Sequence, residues 1–187
     1  MTISGNNAAN VAVGKPKATG AIFVAPKGTT LPTDASTALD VAYKCLGYNG
    51  EDGLTEKTET DVEEIKAWVG DVIARPQTSY SKSYEFVCNE VNAEVLKLAY
   101  GADNVTVSEG GAITVNHRGG GRTESVVVFE IALSNTKIQR TVVPVASVLE
   151  VGDVTYADGE AVGRSIVLGA MPDASGVSAY DYFAEVV

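Results

Sequence analysis

One histidine and two cysteines are the only imidazole and thiol side chains in these 187 residues. His117 lies in the stretch Asn116-His117-Arg118-Gly119-Gly120-Gly121-Arg122. A general base needs a positioned, partly enclosed imidazole. A glycine-rich turn supplies neither, so His117 reads as a solvated turn residue. Cys45 and Cys88 are too few for a disulfide framework and form no C-x-x-C pair, which fits a reducing compartment. A zinc site would need Asp or Glu ligands that nothing in the spacing marks out. The glycine run is no dinucleotide loop, because G-x-G-x-x-G is absent and the run leads into a strand. No nucleophile elbow and no Walker A sequence occurs. The expectation is therefore no catalytic residue, no cofactor and no metal.

What the chain has in quantity is acid: 24 Asp and Glu against 14 Lys and Arg, a formal net charge of -10. The densest run spans residues 51–64, Glu51-Asp52-Gly53-Leu54-Thr55-Glu56-Lys57-Thr58-Glu59-Thr60-Asp61-Val62-Glu63-Glu64. Its acids do not fall at the positions of an EF-hand loop. No pair is singled out as the two carboxylates of a glycosidase. As a strand, the run carries Glu56 and Glu64 on one pleat face and Glu59, Asp61 and Glu63 on the other. That is not a core strand. It fits a place where one face meets a partner and the other meets water. Specific nucleic-acid binding is excluded by charge, since it needs a dominant positive face. A protein built to leave nucleic acid alone is not excluded.

The elements that must position these residues are mostly β. Sparse Leu with abundant Val, Thr, Gly and Tyr tilts the chain that way, and the 45% hydrophobic content is that of a folded protein. Residues 1–20 lack any period and read as an extended arm. They also lack the basic and apolar regions of a signal peptide. No run approaches ~20 apolar residues, so no membrane span is expected. Residues 21–187 form a single domain. A strand over 21–25 ends at Pro26, and a long loop, 27–52, holds Leu31, Leu39, Val41, Tyr43, Leu46 and Tyr48, which need burial. Strands follow over 55–68 and 72–75. Residues 79–88 alternate, with Tyr80, Tyr84, Phe86 and Cys88 on one face and Lys82 interrupting it. A helix over 89–100 is capped by Asn89 and stopped at Gly101, with Val91, Val95 and Leu98 as its buried stripe. Short strands at 105–107 and 113–115 lead to two long strands, 122–134 and 137–151, that form a hairpin around Asn135-Thr136. On the first of these, Thr123, Ser125, Val127, Phe129, Ile131 and Leu133 share a face opposite Arg122, Glu124 and Glu130. Pro144 implies an edge or a bulge in the second. Strands over 162–170 and 178–186 close the chain.

The order of three segments resembles the major tail protein, or tail tube protein, of long-tailed, non-contractile bacteriophages. They are Ala21-Ile22-Phe23-Val24-Ala25-Pro26-Lys27-Gly28-Thr29-Thr30-Leu31-Pro32-Thr33-Asp34, then Leu46-Gly47-Tyr48-Asn49-Gly50-Glu51-Asp52-Gly53-Leu54-Thr55, then Ile65-Lys66-Ala67-Trp68-Val69-Gly70-Asp71-Val72-Ile73 with Gln77-Thr78. The likeness covers roughly residues 20–100. It implies a mainly β fold: a β-sandwich or barrel of two packed antiparallel sheets with one flanking α-helix. It further implies hexameric rings whose inner sheets join around a lumen, stacked as a tube through which DNA passes. The type VI secretion tube protein is similar in architecture. Implied partners are further copies of the chain, the tape-measure, tail-tip and tail-terminator proteins, and passing DNA without specific binding. The implied location is the virion, with assembly in the host cytoplasm. Some relatives carry an extra immunoglobulin-like domain, and none is expected here.

On that resemblance the hairpins over 55–87 and 122–149 should supply the lumen wall. Glu56, Glu59, Asp61, Glu63 and Glu64 are its candidate acids, with Glu124 and Glu130 next. An acidic wall repels phosphates. Leu31, Leu39, Val41, Tyr43, Leu46 and Tyr48 are candidates for contact between rings. The competing readings are a β-sandwich binding module (a virion decoration or carbohydrate-binding domain, whose surface Tyr and Trp would stack on sugars) and, further off, an acid-pair hydrolase.

Overall fold

A computed structural model of the chain describes residues 11–17, 20–119, 123–133 and 137–185. Its elements in order are β1 (Lys15–Pro16), β2 (Ile22–Pro26), β3 (Lys44–Cys45), β4 (Asn49–Val62), β5 (Ile65–Lys66), β6 (Val72–Ala74), β7 (Gln77–Cys88) and α1 (Ala93–Tyr100). Then follow β8 (Val105–Val107), β9 (Ile113–Val115), β10 (Ser125–Ala132), β11 (Lys137–Val151), β12 (Arg164–Met171) and β13 (Tyr180–Glu185). Nine strands join one antiparallel sheet in the order β3-β2-β10-β11-β12-β7-β4, with β1 added to β10 and β13 added to β11. β5 with β6, and β8 with β9, are separate ribbons.

The sheet folds back on itself. β7 and β10 are separated by two strands in the ladder, so in a flat sheet they would lie about 14 Å apart. Yet the rings of Tyr84 and Phe129 are 4.9 Å apart, and those of Phe86 and Phe129 5.9 Å. The β4-β7-β12 layer therefore packs on the β2-β10 layer, as in a sandwich. β11 turns the corner. Its first half, Lys137 to Val142, pairs with β13, and its second half, Val145 to Val151, pairs with β12. Pro144 stands at the junction, beside a register shift between Ser125 and Val127 of β10. The bulge expected there is present because proline has no N–H for the ladder at the point where the partner strand changes.

Between the layers lies the larger core: Ile22, Leu46, Tyr84, Phe86, Cys88, Val95, Val127, Phe129, Ile166 and Leu168 among others. A second cluster, Ala25, Tyr43, Val126, Val128 and Val142, occupies the opposite face of β2-β10-β11, with Leu31, Leu39, Tyr180 and Tyr182 packed against it. β10 is thus covered on both sides, and Val126 through Glu130 are all buried. This corrects the expectation that β10 presents a polar face opposite Val127 and Phe129. The run Val126-Val127-Val128-Phe129 is continuous because both faces are interior.

The start of the helix and the end of the long loop differ from the sequence reading. The helix begins at Ala93 rather than 89, because Asn92, not Asn89, accepts the Val95 N–H on its side chain. Val91 therefore precedes the helix and is exposed, while Val95, Leu96 and Ala99 form its buried face and Leu98 is half-buried. Gly101 closes the helix at φ 93°, its N–H donating to Lys97 O. The long loop ends earlier than 52, since Lys44–Cys45 pairs with β2 and β4 starts at Asn49. Between Asn49 and Leu54 the β4–β7 register shifts, so Gly50 to Gly53 bulge out instead of forming a loop. No helix among the described residues is long and apolar enough to cross a membrane.

Of the predicted arm, Lys15 and Pro16 lie antiparallel on Ile131 and Ala132. Residues 1–10, Ala18-Thr19, Gly120-Gly121-Arg122, Ser134 with the expected turn Asn135-Thr136, and Val186-Val187 lie outside the described residues.

Candidate functional site

The acidic run folds as the outermost strand of the β4-β7-β12-β11 portion of the sheet, and register assigns its two faces. Glu56 stands opposite Tyr84 and Leu54 opposite Phe86, both buried, so Glu56, Thr58 and Thr60 share the core-side face with Tyr80, Lys82 and Tyr84. The other face carries Thr55, Lys57, Glu59 and Asp61, opposite Glu85, Ser83, Ser81 and Ser79 in turn. It continues across β12 through Ser165, Val167 and Gly169 and onto β11 through Ser147. This second face is polar and made largely of short side chains. Leu149 lies across its bare Gly169, where an added Cβ would meet Leu149 Cδ1 at 2.9 Å.

The acids on this hairpin are partly neutralised in place. Lys82 Nζ bonds Glu56, with only 12% of the lysine side chain exposed, and lies 5.8 Å from the Tyr84 ring centroid. That explains how a lysine fits on the aromatic face: its stem is buried and its charge is met. Lys57 Nζ donates to Glu85 at 2.8 Å, and Ser79 Oγ to Asp61 at 2.6 Å. Glu64 accepts from Arg75 at 3.0 and 3.2 Å, with Lys66 3.7 Å away. Glu59 and Glu63 are exposed with no ion pair among the described residues. Glu85, which sequence reasoning passed over, belongs to the polar face. Its place on the alternate face of 79–88 was the available signal.

Two other candidate acids lie elsewhere. Glu124 is half-buried and pairs with Lys27. Glu130 is 5% exposed and cannot line a channel as it is placed. It faces Arg140 directly across the β10–β11 ladder. Arg140 Nε donates to it at 3.0 Å, a second guanidinium nitrogen also bonds it, and Lys17 Nζ donates at 2.7 Å to its other oxygen. Burial demanded that pairing. Arg140 Nη1 goes on to donate to the carbonyls of Asp34 and Thr37, both at 2.8 Å. The buried pair thereby fastens the long loop onto the second face.

The loop organises itself around Asp34. Its carboxylate accepts from the backbone N–H of Ser36 and Thr37, at 2.7 and 2.6 Å, and from the Thr37 hydroxyl at 2.6 Å. The Thr37 hydroxyl first, then the two amides, hold its pKa well below the usual carboxylate range. Of the six apolar loop candidates, Leu46 is fully buried in the larger core and Tyr43 in the second cluster, its hydroxyl donating to Thr30 O at 3.0 Å. Leu31 and Leu39 are half-buried against that second cluster. Those four have partners within the subunit, which accounts for their apolar character. Val41 and Tyr48 are 84% and 80% exposed. Gly47, between Leu46 and Tyr48, has φ 88°, and a Cβ there would fall 2.0 Å from the Glu90 carboxyl carbon, whose oxygen receives the Tyr48 N–H at 2.8 Å. Only glycine fits that turn.

The expected absence of catalytic chemistry leaves little to locate. No group of three potential metal-ligating side chains gathers among the described residues. His117 is exposed, its ring edge-on to Tyr100 at 4.8 Å. The exposed aromatics that a sugar-binding reading would use, Tyr48, Trp68, Tyr80, Tyr156 and Phe183, are scattered over five separate segments.

The β4–β7 hairpin is the feature without a purpose inside one subunit. Residues 55–81 are exposed almost throughout, and pairing of β7 with β12 stops at Lys82. Beyond that point a two-stranded arm extends with no layer beneath it. A two-stranded ribbon with both faces in water is marginal alone, and such an arm makes sense as a surface for another chain.

Among solved structures, the chain is similar to the anti-feeding prophage tube-terminating cap determined by cryo-EM, at 10% identity, with 94% of this chain and 96% of that one covered and a TM-score of 0.45. No curated protein sequence matches. A family model described as phage tail tube protein matches residues 4–184, nearly the whole length. With that match and the sandwich already in view, the chain belongs to the phage tail tube protein family and is a structural component of a phage tail.

Proposed function

We propose that this chain is the repeating subunit of a tail tube, in which copies join side by side as hexameric rings, rings stack, and DNA leaves through the lumen. The observation that carries the reading is the β4-β7-β12-β11 sheet. Up to Lys82 one of its faces packs on the core, and the other is lined mostly by polar residues, Lys57, Glu59, Asp61, Ser79, Ser81, Ser83, Glu85, Ser147 and Ser165, with Val87, Leu149, Val167 and Gly169 among them. β4 is the terminal strand of the sheet, so its outer edge from Thr55 to Asp61 is free to pair with a neighbouring copy. Joined edge to edge, such sheets make a closed wall, and the short polar face becomes its inner surface. Glu59, Asp61 and Glu85 are then the lumen acids. Hydroxyls and glycine give phosphates nothing to grip, and the carboxylates repel them, Glu59 without an ion pair among the described residues, Asp61 held by the Ser79 hydroxyl and Glu85 by Lys57.

In this arrangement Glu56 faces the neighbouring subunit rather than the lumen, Glu63 and Glu64 lie toward the hairpin tip, and exposed Val41 and Tyr48 contact the adjoining ring. The tape-measure, tail-tip and tail-terminator proteins meet the ends of the resulting tube. Negative-stain microscopy of purified protein across a concentration series tests the reading, with hollow rings or tubes expected. A monomer at every concentration would overturn it. In assembled phage, Glu59→Lys with Asp61→Lys should leave tubes intact and slow DNA ejection. Unchanged ejection would remove the repulsion argument.

A further inference from the structure

The hairpin arm ends in a cluster that its own subunit leaves in water. Ile65, Trp68, Val69, Val72 and Ile73 are 48%, 104%, 87%, 40% and 66% exposed. They cap the β5–β6 ribbon, where Ala67 N–H bonds Asp71 O and Gly70 N–H bonds Ala67 O. Together they expose on the order of 500 Å² of largely apolar side chain at one hairpin tip, the size of the largest apolar patch on a typical soluble protein, which is often functional. Charge at the tip is nearly cancelled: Lys66 and Arg75, both on Glu64, stand against Glu63, Glu64 and Asp71, about one net negative charge.

The same subunit has an open groove of about 760 Å³ whose accessible apolar wall is half-buried Ala21, Cys45, Leu54, Ile131 and Leu133, with fully buried Ile22 and Phe129 bordering it. Glycines 14, 20, 50 and 53 also line it and keep it wide. Its charges are balanced as well, with Lys15 and Lys17 against Glu51 and Glu90 in the lining, Lys17 being held by Glu130.

Tip and groove lie at opposite ends of one strand. Leu54 is in the groove wall and Trp68 caps the far end, up to about 45 Å away along an extended chain. A paired ribbon cannot double back, so no subunit fills its own groove with its own tip. A second copy displaced along the strand direction can. We propose that the apolar hairpin tip, with Trp68 as its anchor, docks in this groove of a neighbouring copy. The inference rests on the tube reading only in taking a second copy as occupant. A knob and a hole on different parts of one chain make a heterologous contact, which propagates from copy to copy instead of closing as a dimer. The tip's area falls short of the ~800 Å² per partner of a stable pair, so the contact holds only when ring neighbours repeat it. That keeps free subunits apart and lets a growing end capture them.

Disulfide trapping tests this. A chain carrying Trp68→Cys and Cys45→Ser is mixed with a tagged chain that keeps Cys45, then mildly oxidised under assembly conditions. Cys88 is fully buried and stays silent. A bond between position 68 of one chain and Cys45 of the other is expected, at least tenfold above a control carrying Thr78→Cys in place of the Trp68 substitution. Trp68→Ser should leave thermal unfolding unchanged and raise the concentration needed for assembly by tenfold or more. Tubes that form with Trp68→Ser at the wild-type concentration, without the cross-link, would overturn the docking while sparing the tube reading. Absence of any wild-type assembly would instead sink the tube reading. Cys45 already shielded from alkylation in the monomer would also overturn the docking, by showing that the groove is filled from within one chain.

Discussion

Arg140 is the residue on which the placement of the long loop depends, and its removal is the most informative perturbation of the subunit. Its side chain is almost fully buried. It satisfies one oxygen of Glu130 and two loop carbonyls at once, those of Asp34 and Thr37. Arg140→Met keeps most of the volume and removes the charge. Glu130 then stays buried with Lys17 as its sole cation, and breaking a buried pair from one side costs about 3–5 kcal/mol. Lys17 is 41% exposed in its side chain and offsets part of that, so the lower end of the range is expected in urea unfolding. The double variant Arg140→Met, Glu130→Leu removes both charges and should recover most of the loss. It should not restore the loop, because the carbonyls of Asp34 and Thr37 still lack their donor. Hydrogen exchange separates the two effects: amides of residues 34–43 should exchange faster in single and double variants alike, while those of β10 recover in the double. A single-variant loss under about 1 kcal/mol, near the worth of an ordinary surface pair, would refute the reasoning. So would a loop whose protection does not change.

Other outcomes follow from the same structure. Asp34 has a depressed folded-state pKa, so its contribution is present above the ordinary carboxylate range and is lost as pH falls through that range toward the folded value. Protection of the loop amides, taken against their intrinsic exchange at each pH, should therefore fall on acidification below about pH 4 in the wild type, and Asp34→Asn should show the lower protection already at neutral pH. Burial pushes the Cys88 thiol up to about 12, with the Arg164 charge opposing it only in part. A thiol reagent at pH 8 should modify Cys45 alone in the folded protein and both cysteines after denaturation, read by mass spectrometry. Arg164 is 6% exposed, and its Nε and Nη1 have no hydrogen-bond partner among the described residues. Arg164→Met should thus stabilise the free subunit by about 1–3 kcal/mol in urea unfolding, and a destabilisation would show that the guanidinium is satisfied in solution.

Local rules carried the strands and failed where the deciding contact was remote. The alternation of Tyr84, Phe86 and Cys88, the β10–β11 hairpin and the Pro144 bulge were all legible, because each depends on pleat period or on a missing donor. The helix start was displaced because Asn89 and Asn92 are equally good caps on paper. What chose Asn92 was its second bond, from Nδ2 to Leu46 O at 3.2 Å, across the fold. Glu130 was read as a solvent-facing acid from parity alone. The warning was its place after four consecutive apolar residues, where a lone acid implies a buried partner. Leu31, Leu39, Tyr43 and Leu46 were correctly marked as needing burial, but sequence could not say that β10 and β11 offered a second interior face to receive them.

The same accounting separates the two long excursions of the chain. Loop and hairpin arm both look superfluous to a sandwich in sequence, since both hold apolar residues without a core. The loop returns to its own subunit. Arg140 binds its carbonyls, Asp34 folds its turn, and its leucines and Tyr43 complete a cluster. The arm does not return: past Lys82 nothing lies beneath it, and Trp68 has no protein contact that covers it. A folded chain tolerates such a surface only when another molecule removes it from water. In a family whose members build tubes, the economical source of that molecule is the next copy. On the proposed tube, the loop serves subunit stability and the arm serves assembly. Variants should sort accordingly: Arg140→Met weakens the fold before it weakens the tube, and Trp68→Ser prevents the tube without touching the fold.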